Sequence, residues 1–423
     1  MGLGLDSVGE YTGVTDMESW PARAAQAFAD ELPQDMVRLT RVVQHERSTE
    51  VHVHPAEEPV RFRISDNGEP SVSARTSSAG PGYHAFIVEQ LDACAALAGV
   101  RWTWMDDQNN PGDETGYANN RDLNALQHAM LSWLTELAKI LLERPVRGAG
   151  IALPLHTDAT LDPAFAFSPM GAWPRRFFDE LLTADDTSQR HAGHRFFPWW
   201  DLERDAAKWA NVARVLGMHE VTWSAPATDD EVRSQTIALF ALERAKLLDP
   251  LVPCPSGWLD DLRDLNSDRV ALDAEPDPNR MGFRRRPMRR RLPGGWSIDL
   301  PGWYHRTWEE GQPVFWHGPH TVHISVFSYT PDGRPASDWL PPLERLSGSG
   351  ELQRLVRDQD AEPGHALLRN DPIDGLLIQG FVAGARNILL VTVLFAHHDE
   401  AEWAERVWRS VRAPRDGAGG ATH

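Results

Sequence analysis

Three stretches of the chain carry side chains whose types and spacing could do chemistry. In Glu50-Val51-His52-Val53-His54, strand alternation would set Glu50, His52 and His54 on one face. Two neutral imidazoles and a carboxylate form a donor set for a divalent transition metal, although a polar strand face explains the same pattern and no cofactor is expected. Thr76-Ser77-Ser78-Ala79-Gly80-Pro81-Gly82-Tyr83-His84 reads as a strand-to-helix junction. Amides at that helix N-terminus, with the hydroxyls of Ser77 and Ser78, could cradle an anion; Gly80 and Gly82 would permit close approach, and His84 would stand just inside the helix. Pro81 removes one donor, and neither the phosphate-loop nor the dinucleotide glycine pattern is present, so a tight turn that exploits glycine's freedom competes with this reading. An oxygen-rich loop follows, with Asp106, Asp107, Asn109, Asn110, Asp113 and Glu114. Hard cations favour such donors, but a calcium-loop register from Asp107 meets Pro111 and Ala118 where acidic or amide ligands belong. A small-ligand site here would join Ser77, Ser78, Gly80, Gly82 and His84 to Asp106 and Asp107.

Other residues suit a macromolecular partner. His191 and His194 precede Phe196-Phe197-Pro198-Trp199-Trp200, in which Trp199 and Trp200 could anchor a partner or fill a core. Arg284, Arg285, Arg286, Arg289 and Arg290 form a basic run inside an acidic chain, suited to an acidic partner or to a solvated linker. His397-His398-Asp399-Glu400 stands at a strand-to-helix junction, where Asp399 and Glu400 complement the helix dipole. The chain has no Gly-x-Ser-x-Gly elbow, His-Glu-x-x-His, Cys-x-x-Cys or kinase motif set, so no catalytic residue is assigned.

The elements that must position these residues follow from periodicity. A helical face with Ala24, Phe28 and Leu32 runs from Trp20 to Leu32. Period-two alternation between Met36 and Thr76, with a turn at Asp66-Asn67-Gly68, predicts an antiparallel meander. Helices are expected at Tyr83–Ala98, from about Asp122 to Glu143 and at Asp201–Leu216. Another should be capped by Thr228 and Glu231 and closed by Pro250. Strands are expected at Arg101–Met105, Gly150–Leu155 and Glu220–Trp223. The stretch Asn266–Arg291, with Pro276, Pro278 and Pro287, reads as a linker. Beyond it come strands at Val314–His317, Val322–Tyr329, Ala366–Arg369, Leu376–Ala383 and Ile388–Ala396, with helices at Asp338–Leu346 and Asp399–Val411. The expected organisation is α+β: a region over 1–265, with a second division open near 146, a linker over 266–291, a smaller domain over 292–414 and a tail over 415–423.

Composition bounds the function. In 423 residues, 17 Trp and 15 Phe supply ample core, and the balance of 42 basic to 61 acidic residues gives a net charge of −19. That charge argues against general nucleic-acid or anionic-membrane binding. Of the basic residues only Lys139, Lys208 and Lys246 are lysines, a bias of the kind GC-rich genomes produce. The longest uncharged apolar run, Ile388 to Ala396, falls far short of the about 20 residues that span a bilayer. Two cysteines and a beginning without a basic, then apolar, stretch lead to the expectation of a cytoplasmic location.

Gly295-Trp296-Ser297-Ile298-Asp299-Leu300-Pro301 opens the last third, and Leu389-Leu390-Val391-Thr392-Val393-Leu394-Phe395, Asp399-Glu400-Ala401 and Arg409-Ser410-Val411 close it. With the strand order between them, these residues resemble PsbP-like and DcrB-like domains. The resemblance implies an antiparallel sheet packed with helices, in a class of binding and chaperone modules that includes adaptors for secreted bacterial toxins. The first two-thirds looks like bacterial proteins that share Thr-x-x-Ala-Gly-Pro-Gly-Tyr-His and have no known activity. The expectation is a protein-binding protein of immunity or toxin-chaperone type, without nucleic-acid or membrane partners. The alternative is an enzyme or small-ligand binder with a site around the Gly80–His84 turn and the Asp106–Tyr117 loop.

Overall fold

A computed structural model describes residues 3–13, 16–104, 112–143, 149–150, 165–267, 287–328, 336–342, 351–357, 362–371 and 375–413. The chain divides into two compact units. One is drawn from the chain up to Arg263; the other runs from Asp264 onward and takes in Thr222–Val232. Both are α+β, built on antiparallel seven-stranded sheets.

The first sheet contains β1 (Gly4–Tyr11), β2 (Arg41–Gln44), β3 (Ser48–His52), β4 (Val60–Ile64), β5 (Pro70–Arg75), β6 (Val100–Thr103) and β7 (Gly112–Asp113). Its order is β2-β3-β4-β5-β1-β6, with β7 also paired to β1. The meander therefore forms as its alternation predicts, and β1 joins it to β6. Helix α1 (Trp20–Asp30) buries Trp20, Ala24, Ala25 and Phe28. Trp20 and Phe28 meet Phe62 of β4 at centroid distances of 6.4 and 5.7 Å, and the Trp20 indole donates to the Ala98 carbonyl. Helix α2 (Pro81–Ala98) ends at Gly99, whose φ of 65° is a left-handed cap.

The rest of this unit is mostly helical, with α3 (Tyr117–Asn120), α4 (Leu123–Glu143), α5 (Arg175–Thr183), α6 (Asp186–Phe196), α7 (Ala206–His219), most of α8 (Asp229–Leu248) and α9 (Trp258–Leu265). Three short strands form a separate sheet: β8 (Ala149–Gly150), β9 (Phe165–Ser168) and β10 (Gly171–Pro174). Of the strand expected at Gly150–Leu155, only Gly150 lies among the described residues. Helix α7 starts at Ala206, later than periodicity suggests, because the Asp205 carboxylate caps the Lys208 amide at 2.9 Å. Glu220–Trp223 is not a strand. The Glu220 and Val221 amides bond back to the Leu216 carbonyl, and Trp223 takes a φ of 60°, which breaks any extended run.

The second unit pairs β11 (Pro287–Arg291) with β12 (Ser297–Pro301). Its main sheet has β13 (His305–Glu309), β14 (Gln312–His317), β15 (His320–Ser328), β16 (Glu351–Arg357), β17 (Gly364–Asp371), β18 (Gly375–Ala383) and β19 (Asn387–Phe395). The order is β13-β14-β15-β19-β18-β17-β16. Helix α10 (Ala401–Arg409) sets Ala404, Val407 and Trp408 into a core with Trp296, Ile298, Ile378 and Val391. The end of the stretch read as linker is thus the paired strand β11. In place of the helix expected from Asp338, the described residues form a single 3-10 turn, Ala336–Trp339.

Candidate functional site

The first unit encloses a cluster of polar side chains between the end of β3, the start of α2 and the start of α7. His54, Tyr83, Trp199, Lys208 and Trp209 are all between 0% and 4% exposed. The His54, Tyr83 and Trp199 rings lie 5.6 to 6.2 Å apart, centroid to centroid. Lys208 Nζ stands 4.4 Å from the Trp199 ring centroid and 4.0 Å from that of Trp209. Its hydrogen-bond contact is the Met36 sulfur, a weak acceptor, at 2.9 Å. The Ala56 amide donates to His54 Nδ1 at 3.1 Å, which puts the proton of the neutral ring on Nε2. Among the described residues, no group bonds His54 Nε2, the Tyr83 hydroxyl or the Trp199 and Trp209 indole nitrogens. What marks this cluster is that four such polar atoms line one buried space beside a buried lysine, in an interior where polar groups are ordinarily satisfied.

Burial sets the charges here. It holds His54 well below its ordinary range, with the Lys208 charge adding to the effect, and it pushes Lys208 down to about 7. It raises the Tyr83 phenol and lifts Glu57 to about 8, although two amides bonded to the Glu57 carboxylate oppose the rise. At neutral pH, Glu57 and His54 are therefore uncharged and Lys208 is close to its midpoint.

The glycine turn beside the cluster has its amides engaged. Ser78 and Ala79 donate to Glu57 Oε1 at 2.5 and 2.6 Å, Gly80 to the Thr76 carbonyl and Gly82 to the Trp199 carbonyl. The amides read from the sequence as an anion cradle are thus occupied by the chain's own Glu57 carboxyl. Ser77 is buried within this turn. Gly80 and Gly82 serve close packing, since a Cβ on Gly80 would lie 2.6 Å from Phe197 Cβ and one on Gly82 2.0 Å from the Asp201 carbonyl oxygen. His84 is fully buried and bonded at both nitrogens: Nδ1 to the Thr76 hydroxyl at 2.8 Å, and Nε2 to Asp113 Oδ1 and Thr115 Oγ1, each at 3.1 Å. Burial would raise Asp113, but the His84 bond and charge, the Ala118 amide and the Thr115 hydroxyl outweigh it and hold the carboxyl well below its usual range. His84 and Asp113 therefore form a closed structural network, and Asp106 and Asp107 lie outside the described residues.

The other sequence candidates take different places. Glu50 stays on the outer face of β3, where it binds Arg61 and His45. The strand ends at His52 and the chain turns, carrying His54 inside, so the Glu50, His52 and His54 alternation does not persist. Among the described residues, no three His, Cys, Asp or Glu side chains gather as a metal site. Trp199 and Trp200 are core residues rather than exposed anchors, with Trp200 stacked on Phe197. Arg289 pairs with Asp299, and Arg290 is buried and donates to the Gly302 carbonyl, so neither offers a free guanidinium to a partner. Arg284, Arg285 and Arg286 lie outside the described residues. Glu400 accepts from the Ala396 and His397 amides and from His320, the capping role read from its position.

A groove of about 370 Å³ opens on the outer face of β1, β4 and β5, with Arg61, Arg63, Arg75, Asp6, Glu58 and Glu114 in its lining. Arg75 pairs with Glu58 at 3.4 Å, and Arg63 approaches Asp6 at 3.9 Å. The three guanidinium side chains remain 44% to 59% exposed.

In part, this chain is similar to a PsbP protein. The solution structure of cyanobacterial PsbP (CyanoP) from Synechocystis sp. PCC 6803 aligns with 30% of this chain and 92% of its own, at 12% identity and a TM-score of 0.24. No protein-family model and no curated protein matches the chain. No described helix is long and apolar enough to cross a membrane.

Sequence reasoning singled out His54 and Trp199 for other roles and passed over Glu57, Tyr83, Lys208 and Trp209. The one available signal was rarity: Lys208 is one of three lysines in an arginine-dominated chain. Lysine can shed its proton when buried, and arginine cannot.

Proposed function

We propose that the first unit binds a small polar molecule in the closed site formed by His54, Tyr83, Trp199, Lys208 and Trp209. The carrying observation is the set of buried donors that no group satisfies among the described residues. Each such group costs about 1–3 kcal/mol when left unmet, so folding alone favours apolar replacements at these positions. A ligand that accepts these hydrogen bonds accounts for their presence. In thermal-shift measurements across a metabolite and metal panel, at least one compound should raise the melting temperature; occupancy at 100 times Kd stabilises by about 2.7 kcal/mol. Tyr83→Phe should fold at least as well as the parent without ligand and should lose much of that shift. A parent that responds to no compound, with a Tyr83→Phe variant that is destabilised, would assign these residues to the fold alone.

The arginine groove favours a second reading, that the chain is a protein-binding protein of immunity or toxin-chaperone type. Half-exposed Arg61, Arg63 and Arg75, lying beside Glu50, Asp6 and Glu58 with Glu114 in the same lining, suit a partner segment of mixed charge that exchanges ion pairs with them. A pull-down from the native host should then return a stoichiometric protein at low and moderate salt. Arg61→Glu with Arg75→Glu should release it while leaving the fold intact. Failure to return any such protein at either salt concentration would count against this reading.

A further inference from the structure

We infer that the ligand of the buried site is a small anion, a carboxylate or an oxyanion of similar size, held by Lys208 Nζ together with N–H and O–H donors of His54, Tyr83, Trp199 and Trp209. This rests on the reading of the cluster as a ligand site and adds the chemical class.

Hydrogen-bond sign decides the class of ligand. Indole nitrogens and ammonium groups only donate. His54 has its acceptor nitrogen taken by the Ala56 amide, which leaves Nε2–H to donate. The Tyr83 hydroxyl can donate as well. The nearby carboxylate that could have met these donors, Glu57, is bonded through Oε1 to the Ser78 and Ala79 amides. A molecule that matches this lining must therefore be rich in acceptors. A neutral acceptor such as an amide would leave the buried Lys208 charge without an ion-pair partner among the described residues, since Asp35 and Asp205 act on it only at longer range, whereas an anion would pair with it directly.

Lys208 is faced by His54, Asp35, Arg204 and Asp205, and Glu57 faces Tyr83. Burial dominates and brings Lys208 to about 7; Asp35 and Asp205 pull it upward and Arg204 presses it down. Glu57, near 8, stays protonated at neutral pH and does not repel an anion. Binding should therefore be accompanied by proton uptake at Lys208. Affinity should fall towards about tenfold per pH unit above 7, because each unit removes a further tenfold of the protonated form.

Isothermal titration of the full chain with acetate, propionate, malonate and inorganic phosphate, against acetamide and propionamide, tests the class. Carboxylates or phosphate should bind and the amides should not, and the first two arms separate a carboxylate from a phosphate ligand. The observed enthalpy at pH 7.5 should depend on the ionisation heat of the buffer, as proton uptake requires. Lys208→Met should weaken anion binding by about 100-fold or more without lowering the melting temperature. If amides bind as well as carboxylates, with no proton uptake, the anion assignment is overturned and the ligand-site reading stands. If neither anions nor neutral compounds bind, and Tyr83→Phe and Lys208→Met only change stability, both are overturned.

Discussion

A Gly82→Ala variant is expected to lose about 3–5 kcal/mol of stability in the first unit, enough to unfold a marginal domain. Helix propensity alone points the other way, since alanine is favoured over glycine by about 1 kcal/mol inside a helix. Sterics decide the sign. The new Cβ would lie 2.0 Å from the Asp201 carbonyl oxygen and 2.5 Å from Trp199 Cδ1. Neither atom is free to retreat, because the Gly82 amide bonds the Trp199 carbonyl at 3.0 Å and the Trp199 amide bonds the Ala79 carbonyl at 2.9 Å. Relief requires breaking these bonds and shifting Trp199, whose ring also packs on Phe86, Tyr83 and Lys208. Urea unfolding should show a large drop in midpoint for Gly82→Ala. An unchanged or higher midpoint would mean that Trp199–Asp201 does not seat against the turn.

The second large effect is an unusual pH dependence of the same unit. Between pH 4.5, the ordinary Glu57 value, and about 8, the folded chain keeps the Glu57 proton that the unfolded chain has lost. Glu57 therefore contributes a fall in stability with rising pH through this window, by up to about 1.4 kcal/mol per unit, opposed below pH 6.5 by His54, whose buried ring lacks a proton that the unfolded chain takes up. Lys208 acts in the opposite direction: between about 7 and its ordinary 10.5, the folded chain lacks a proton that the unfolded chain holds, so stability rises with pH. The two contributions cancel between 7 and 8, which places the minimum of their sum there. Relative to the parent, Glu57→Gln should become progressively more stable from pH 5 to 7.5, and Lys208→Met should lose the rising limb above 8. Urea midpoints at pH 5, 6, 7.5 and 9 for the parent and both variants give this difference directly. Identical pH profiles in all three would show that neither group is held away from its ordinary protonation.

Local spacing alone determined much of the architecture. The meander of β2 to β5 and helices α1, α2 and α4 are written in two-residue and 3.6-residue alternation, and β14, β15, β17, β18 and β19 carry apolar runs, whereas β16, Glu-Leu-Gln-Arg-Leu-Val-Arg, has none and was not expected. β1 escaped notice because it reads Gly-Leu-Asp-Ser-Val-Gly-Glu-Tyr. Its Gly4 and Gly9 lower strand propensity, yet both lie where neighbouring strands leave no room for a Cβ. Glu220–Trp223 misled in the opposite sense, since strand-forming residues were overruled by the end of α7. The Gly80–His84 turn was legible as a special place, but its work was not. Tertiary structure gave its amides to Glu57, its glycines to the Phe197–Asp201 segment, and both nitrogens of His84 to Thr76, Thr115 and Asp113. The buried cluster was decided wholly at that level, because its members come from five separated stretches around Met36, His54, Tyr83, Trp199 and Lys208. A side chain's type and spacing fix which bonds it can make; whether a buried donor finds a partner depends on which distant segment closes over it, and that is settled only when the chain packs.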